Sequence, residues 1–200
     1  MNRTGITRVV ITDEIRGSGA WRFVEARKRW PAANKLYRQV FDCIGMPLCP
    51  DEREMQCSKE EFVAGYDYAL GIDVILEFDI GMEATLQEKF LFTSFKTVTV
   101  EYYQNPDTRE LGDWFRMRAQ YYFVGYDRNK ALDFQDWILL DWPATMRATA
   151  QRRIHWLDRT NAQDGARATF RYAGFEQFPP DCVVASSDKK FQPVPQFSLS

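Results

Sequence analysis

Between Ile72 and Tyr103 the chain carries three β-prone runs with little between them, and this constrains its fold more than any other stretch. Ile72–Phe78 is apolar and β-branched, which predicts a strand. Asp79-Ile80-Gly81 predicts a tight turn, Ala84–Phe92 a second strand, and the Thr/Val alternation of Thr97–Tyr103 a third. Strands this closely spaced must pair, so the chain has a sheet at its centre. Side chains two apart on a strand share a face. Gln87 and Lys89 therefore point together while Glu88 points away, and the fourteen residues from Asp73 to Gln87 are a length that a hairpin closes.

Helical signals flank this centre. Ala20–Arg29 is basic and helical in pattern, Pro31 interrupts it or starts the next helix, and Ala33–Cys43 carries an apolar stripe of Leu36, Val40 and Phe41. Ser58 with Glu61 forms a capping box for a helix from Lys59 toward Leu70. Asp113 is expected to cap a short helix to about Gln120, although Phe115, Met117, Ala119 and Tyr121 also alternate with Arg116, Arg118 and Gln120 as in a strand. Tyr121–Tyr126 and Trp137–Leu140 read as strands, Pro143–Arg152 as a helix with proline in its first turn, and Ala166–Tyr172 as a last strand. Val9–Thr12 is a short β-prone run, Gly45–Cys57 is expected to be a loop, and the chain from about Ser186 a tail. The expectation is one α/β domain over residues 1–200, with a core at about 58–127 and a helical N-terminal elaboration at 1–57.

Several function classes find no support. No apolar run approaches membrane-spanning length, so no membrane partner is expected. The four cysteines, Cys43, Cys49, Cys57 and Cys182, form no C-x-x-C pair, and there is one histidine, His155. Structural zinc would need an unusual spacing, and free thiols in a cytoplasmic protein are the plainer expectation. His155, beside Trp156, is expected to be packed. Nucleophile-elbow and P-loop motifs are absent. Net charge is only −2, but residues 1–40 carry +6 and residues 41–110 carry −10. An acidic middle suits a cation, and basic flanks suit a phosphate backbone.

The order helix, strand, strand, strand, helix, strand from Lys59 to Tyr126, with Gly71-Ile72-Asp73 on one strand and Gln87-Glu88-Lys89 on the next, resembles the PD-(D/E)XK nuclease-like superfamily. The resemblance covers about a quarter to a third of the chain. It implies a restriction-endonuclease-like αβββαβ core, a mixed sheet flanked by helices, and metal-dependent hydrolysis of nucleic acid, with DNA as the expected substrate. It further implies catalytic roles for Asp73, Gln87 and Lys89. Mg²⁺ or Mn²⁺ would be held by Asp73, the Gln87 amide oxygen and the Glu88 backbone carbonyl, and Lys89 would orient the attacking water or stabilise the phosphorane charge. The sequence departs from the pattern at Gln87, where an acid is usual. Some restriction-type members share Gln-x-Lys, but the missing charge calls for another carboxylate, with Glu83 and Glu61 as candidates. Arg116, Arg118 and Gln120 are candidate nucleic-acid contacts. A catalytically silent module of the same fold, binding nucleic acid or a protein, is the alternative, and a homo-oligomer stays open.

Overall fold

The computed structural model describes residues 6–11, 25–49, 52–57, 70–93, 95–161 and 168–188, with backbone alone for 6–11 and 52–57. Its strands are β1 (Ile6–Ile11), β2 (Glu52–Cys57), β3 (Val74–Glu77), β4 (Glu83–Leu91), β5 (Thr97–Asn105), β6 (Glu110–Leu111), β7 (Tyr121–Tyr126), β8 (Asp136–Asp141), β9 (Leu157–Thr160), β10 (Thr169–Gly174) and β11 (Val183–Ser186). The helices are α1 (Trp30–Cys43), α2 (Asp113–Arg116) and α3 (Trp142–Ala150). The fold is α/β.

Seven strands form a mixed sheet in the order β11-β8-β7-β4-β3-β1-β2. β4 lies antiparallel to β3 and parallel to β7. Four more strands form a second sheet, β6-β5-β10-β9, whose pairings are all antiparallel. The two faces of the main sheet bury different partners. Ala33, Tyr37, Val40 and Phe41 of α1 pack on Val74, Leu76, Leu86, Phe123 and Leu139. On the other face, Val98 and Val100 of β5 and Trp142, Ala144 and Ala148 of α3 pack on Tyr122, Val124, Tyr126, Ile138 and Leu140. Burying such side chains contributes roughly 1.5–3 kcal/mol each, which is why alternation along β3, β4 and β7 sets their register.

The structure departs from the expected core at the third strand. β5 does not join its two predecessors but leaves for the second sheet, so β5, β6 and α2 together make the crossover between parallel β4 and β7. The flanking layer on that face is therefore a second sheet plus α3 rather than helices alone. β5 settles there because both its edges are satisfied. β10 pairs along one edge. On the other, the Tyr126 hydroxyl donates to the Thr97 carbonyl (2.5 Å) and accepts from the Thr97 amide (3.1 Å), and the Tyr122 hydroxyl donates to the Thr99 carbonyl (2.8 Å). Two phenols thus cover Thr97 and Thr99, where a neighbouring strand would otherwise be needed, and β6 pairs farther along the same edge at Tyr103 and Asn105.

Four local expectations need correction. Residues 52–57, expected in a loop, form β2 and pair in parallel with β1, so the N-terminal segment supplies strands to the main sheet as well as a helix. Asp113 does not cap α2: the N-cap is Gly112, and α2 ends at Arg116 because Met117 turns extended. Met117 and Ala119 are buried while Arg118 and Gln120 are exposed, so the alternating pattern prevails there. His155 is exposed, and its neighbour Trp156 does the packing. Elsewhere α1 starts at the proline, Pro143 lies in the first turn of α3, and Asp141 caps α3 through Ala144 N (2.7 Å). The expected helix from Lys59 and its capping box lie outside the described residues, save Leu70, and so does the tail beyond 188.

Candidate active site

Asp73 directly precedes β3, whose pairing with β4 ends at Val74 and Leu86. The ladder is irregular at this point. The Asp73 amide donates to the Leu86 carbonyl (2.9 Å), and the Asp73 carboxylate accepts from the Glu88 amide (2.8 Å). A side-chain oxygen thus holds the end of the β3–β4 pairing and pins its carboxylate beside the backbone of Gln87-Glu88-Lys89. On β4, Leu86 is buried against α1 and the Glu88 carboxylate accepts from the Tyr37 hydroxyl of α1 (2.7 Å). Gln87 and Lys89 therefore lie on the opposite face, toward the second sheet.

Tyr122, beside Gln87 on β7, reports the charge on that face. Burial drives its phenol well above the ordinary range, and the charges of Asp113, Asp73 and Glu101 raise it further, as does Tyr126. Burial also raises the Glu101 carboxyl, against the pull of the Lys89 ammonium. The Lys89 Nζ lies 5.6 Å from the centre of the Phe170 ring. β5 pairs Glu101 with Phe170, so both project from one face of the second sheet.

The Gln87 amide oxygen is buried and has no hydrogen-bond partner. It lies beneath Gly71, where an added Cβ would stand 3.4 Å from it and 3.2 Å from the Met117 Cα. Gly71 has φ +57°, so both backbone conformation and space favour glycine. An unpartnered buried acceptor costs roughly 1–3 kcal/mol. In kind, the donors suit a hard, oxygen-seeking cation: a carboxylate, an amide oxygen without a partner and the Glu88 carbonyl. In charge they are lean. Among the described residues, no group of three or more His, Cys, Asp or Glu is placed to hold a metal ion.

The remaining candidates separate. Glu83 shares the face of Gln87 but stands at the far end of β4, paired with Glu77 and about 13 Å along the strand, too far to share one ion with Asp73. The Glu88 side chain is committed to Tyr37, leaving only its carbonyl for the site. Glu61 lies outside the described residues. Arg116 turns inward to the Asp113 carboxylate (3.0 Å). Arg118 is exposed. The Gln120 amide oxygen accepts from the Thr85 amide (2.9 Å), which closes the β4–β7 pairing below the site. The three expected nucleic-acid contacts thus share no helical face, since only Arg116 lies on α2. Sequence reasoning missed Glu101. Its one signal is the charge that ends the Thr-Val-Thr-Val run, which by itself marks only a strand end.

No family model matches the chain, and neither a curated protein nor a solved structure matches it.

Proposed function

We propose that the chain is a metal-dependent hydrolase of phosphodiester bonds in nucleic acid, with DNA as the expected substrate. One observation carries this: Asp73, the residue before β3, is held at the end of the β3–β4 pairing with its carboxylate 2.8 Å from the Glu88 amide, and Gln87 and Lys89 share one face of β4. That arrangement supports the restriction-endonuclease-like resemblance through its site, although the third strand and the second sheet depart from a plain αβββαβ core.

When bound, Mg²⁺ or Mn²⁺ would supply charge neutralisation and lower the pKa of an attacking water. The chain's own groups do the rest. Asp73 and the amide oxygen of Gln87 would hold the cation, with the Glu88 carbonyl. Lys89 carries a fixed positive charge to the oxygens that gain charge as the phosphorus is attacked. Tyr37 keeps the Glu88 carboxylate on the α1 face, so it does not compete for Lys89. Arg118 offers a phosphate contact on the exposed side.

The second reading is a catalytically silent module that binds nucleic acid or a protein. Two observations favour it: the lean charge of the donor set and the cover of Gly71 and Met117 over the Gln87 amide oxygen. A cleavage assay on single- and double-stranded DNA and RNA, with Mg²⁺ and with Mn²⁺, separates the two. Hydrolysis that stops with chelator, with Asp73→Ala and with Lys89→Ala supports the enzyme. Retention of nucleic acid without cleavage, unchanged by both substitutions, supports the silent module.

A further inference from the structure

We infer that the second sheet supplies two positioning residues, Phe170 and Glu101, which hold the Lys89 ammonium at the Asp73–Gln87 pair. The importance of this for cleavage rests on the hydrolase proposed above.

Lysine ends in a point charge on a flexible four-carbon stem and reaches one place only when something holds it there. Nothing on β4 does so: its neighbours on that face are Gln87 and Leu91, and the Glu88 carboxylate is tied to Tyr37 on the far face. The second sheet approaches from the open side. Its Phe170 ring lies 5.6 Å from Nζ, within the range in which an aromatic face attracts a cation. Glu101 is the cross-strand neighbour of Phe170 and projects from the same face. Its carboxyl is half-buried, and the Lys89 ammonium opposes the rise that this burial causes.

Glu101 is itself clamped. At Gly112 an added Cβ would stand 2.4 Å from the Glu101 carbonyl oxygen and 2.9 Å from its Cγ. The backbone of Gly112 is ordinary (φ −87°, ψ −172°), so space rather than conformation demands glycine here. The strand that carries Glu101, the glycine that packs against it and the β10 partner that brings Phe170 beside the Lys89 ammonium are therefore fixed to one another. This accounts for a carboxylate near the site when the triplet itself holds Gln87. Glu101 acts through Lys89 and makes up on the lysine side for a charge that the triplet lacks.

The test uses Glu101→Gln, Glu101→Asp and Phe170→Leu in the full chain. Cleavage of a labelled DNA duplex with Mn²⁺ is followed as kcat and KM. NMR of the chain, with its lysines reductively dimethylated so that they keep their charge, gives a second readout from the Lys89 methyl signals. Glu101→Gln and Phe170→Leu are expected to lower kcat about 10- to 100-fold, the usual range for an orienting partner, with KM within twofold. Glu101→Asp should recover part of the loss. The Lys89 methyl signals, displaced by the Phe170 ring in the parent, should move to the position of a free lysine. Parent-like kcat in both variants overturns the inference, and so does a parent-like methyl spectrum. A parent chain that cleaves nothing refutes the hydrolase, and the methyl spectra alone then decide whether Phe170 and Glu101 hold Lys89.

Discussion

Two of the buried polar clusters among the described residues are finished differently. At one end of β7, Arg29 and Asp127 are 1% and 0% exposed and meet through Nε and Nη2, both at 2.8 Å. Asp127 also accepts from the amides of Ala131 (2.9 Å) and Leu132 (3.2 Å), and the guanidinium lies 4.4 Å from the Phe92 ring. Both carboxylate oxygens of Asp127 therefore accept from a donor. Across the same sheet, Gln87 keeps a buried oxygen without a donor and Glu101 carries a burial penalty that Lys89 offsets only in part. A fold that needs only stability completes such networks. The incomplete one is where a ligand has something to contribute.

The contrast can be broken first at the closed cluster. Asp127→Ala removes the buried partner of the Arg29 guanidinium, leaving it only Glu25, and should cost about 3–5 kcal/mol in urea unfolding, with the activity of the folded fraction unchanged. At the open cluster, Lys89→Ala should lower cleavage about 10²- to 10³-fold, the loss expected for one electrostatic donor, while the urea midpoint barely moves. Gly112→Ala should cost about 1–3 kcal/mol through overpacking against a carbonyl that cannot yield, measured by thermal unfolding. Gln87→Met should stabilise by up to about 1 kcal/mol, since it removes an acceptor that has no donor, and should abolish metal-dependent cleavage. A destabilising Gln87→Met would show that the amide is already satisfied and erase the distinction between the clusters.

The gentlest test is pH. The Glu101 carboxyl is raised from 4.5, so within the window between 4.5 and its folded value the folded chain keeps a proton that the unfolded chain has released. Stability therefore falls as pH rises through that window. Glu101→Gln should flatten that part of the unfolding profile, and an unchanged slope would remove the burial penalty from the account.

The parts written locally in the chain were legible. β-branched runs and the Asp79–Gly81 turn give β3 and β4. Period-two alternation along β4 puts Gln87 and Lys89 on one face. What escaped depends on distant chain. Thr97–Tyr103 reads as a strand, but nothing in it says that its partner is β10 rather than β4. Tyr122 and Tyr126 look like ordinary apolar strand residues until their hydroxyls are seen closing the edge of β5. Glu101 joins the site only because that strand departs. The Arg29–Asp127 pair was invisible for the same reason, since it links residues 98 positions apart.

The route of β5 also sets when the molecule can be assembled. Phe170 follows Lys89 by about 80 residues, which at 5–20 residues per second takes a ribosome about 4–16 s to make. During that interval β3 and β4 can already pair, while the outer edge of β5 has no partner and is open to pairing with other nascent chains. A truncation ending before Thr169 should therefore be a sticky product rather than merely an inactive one.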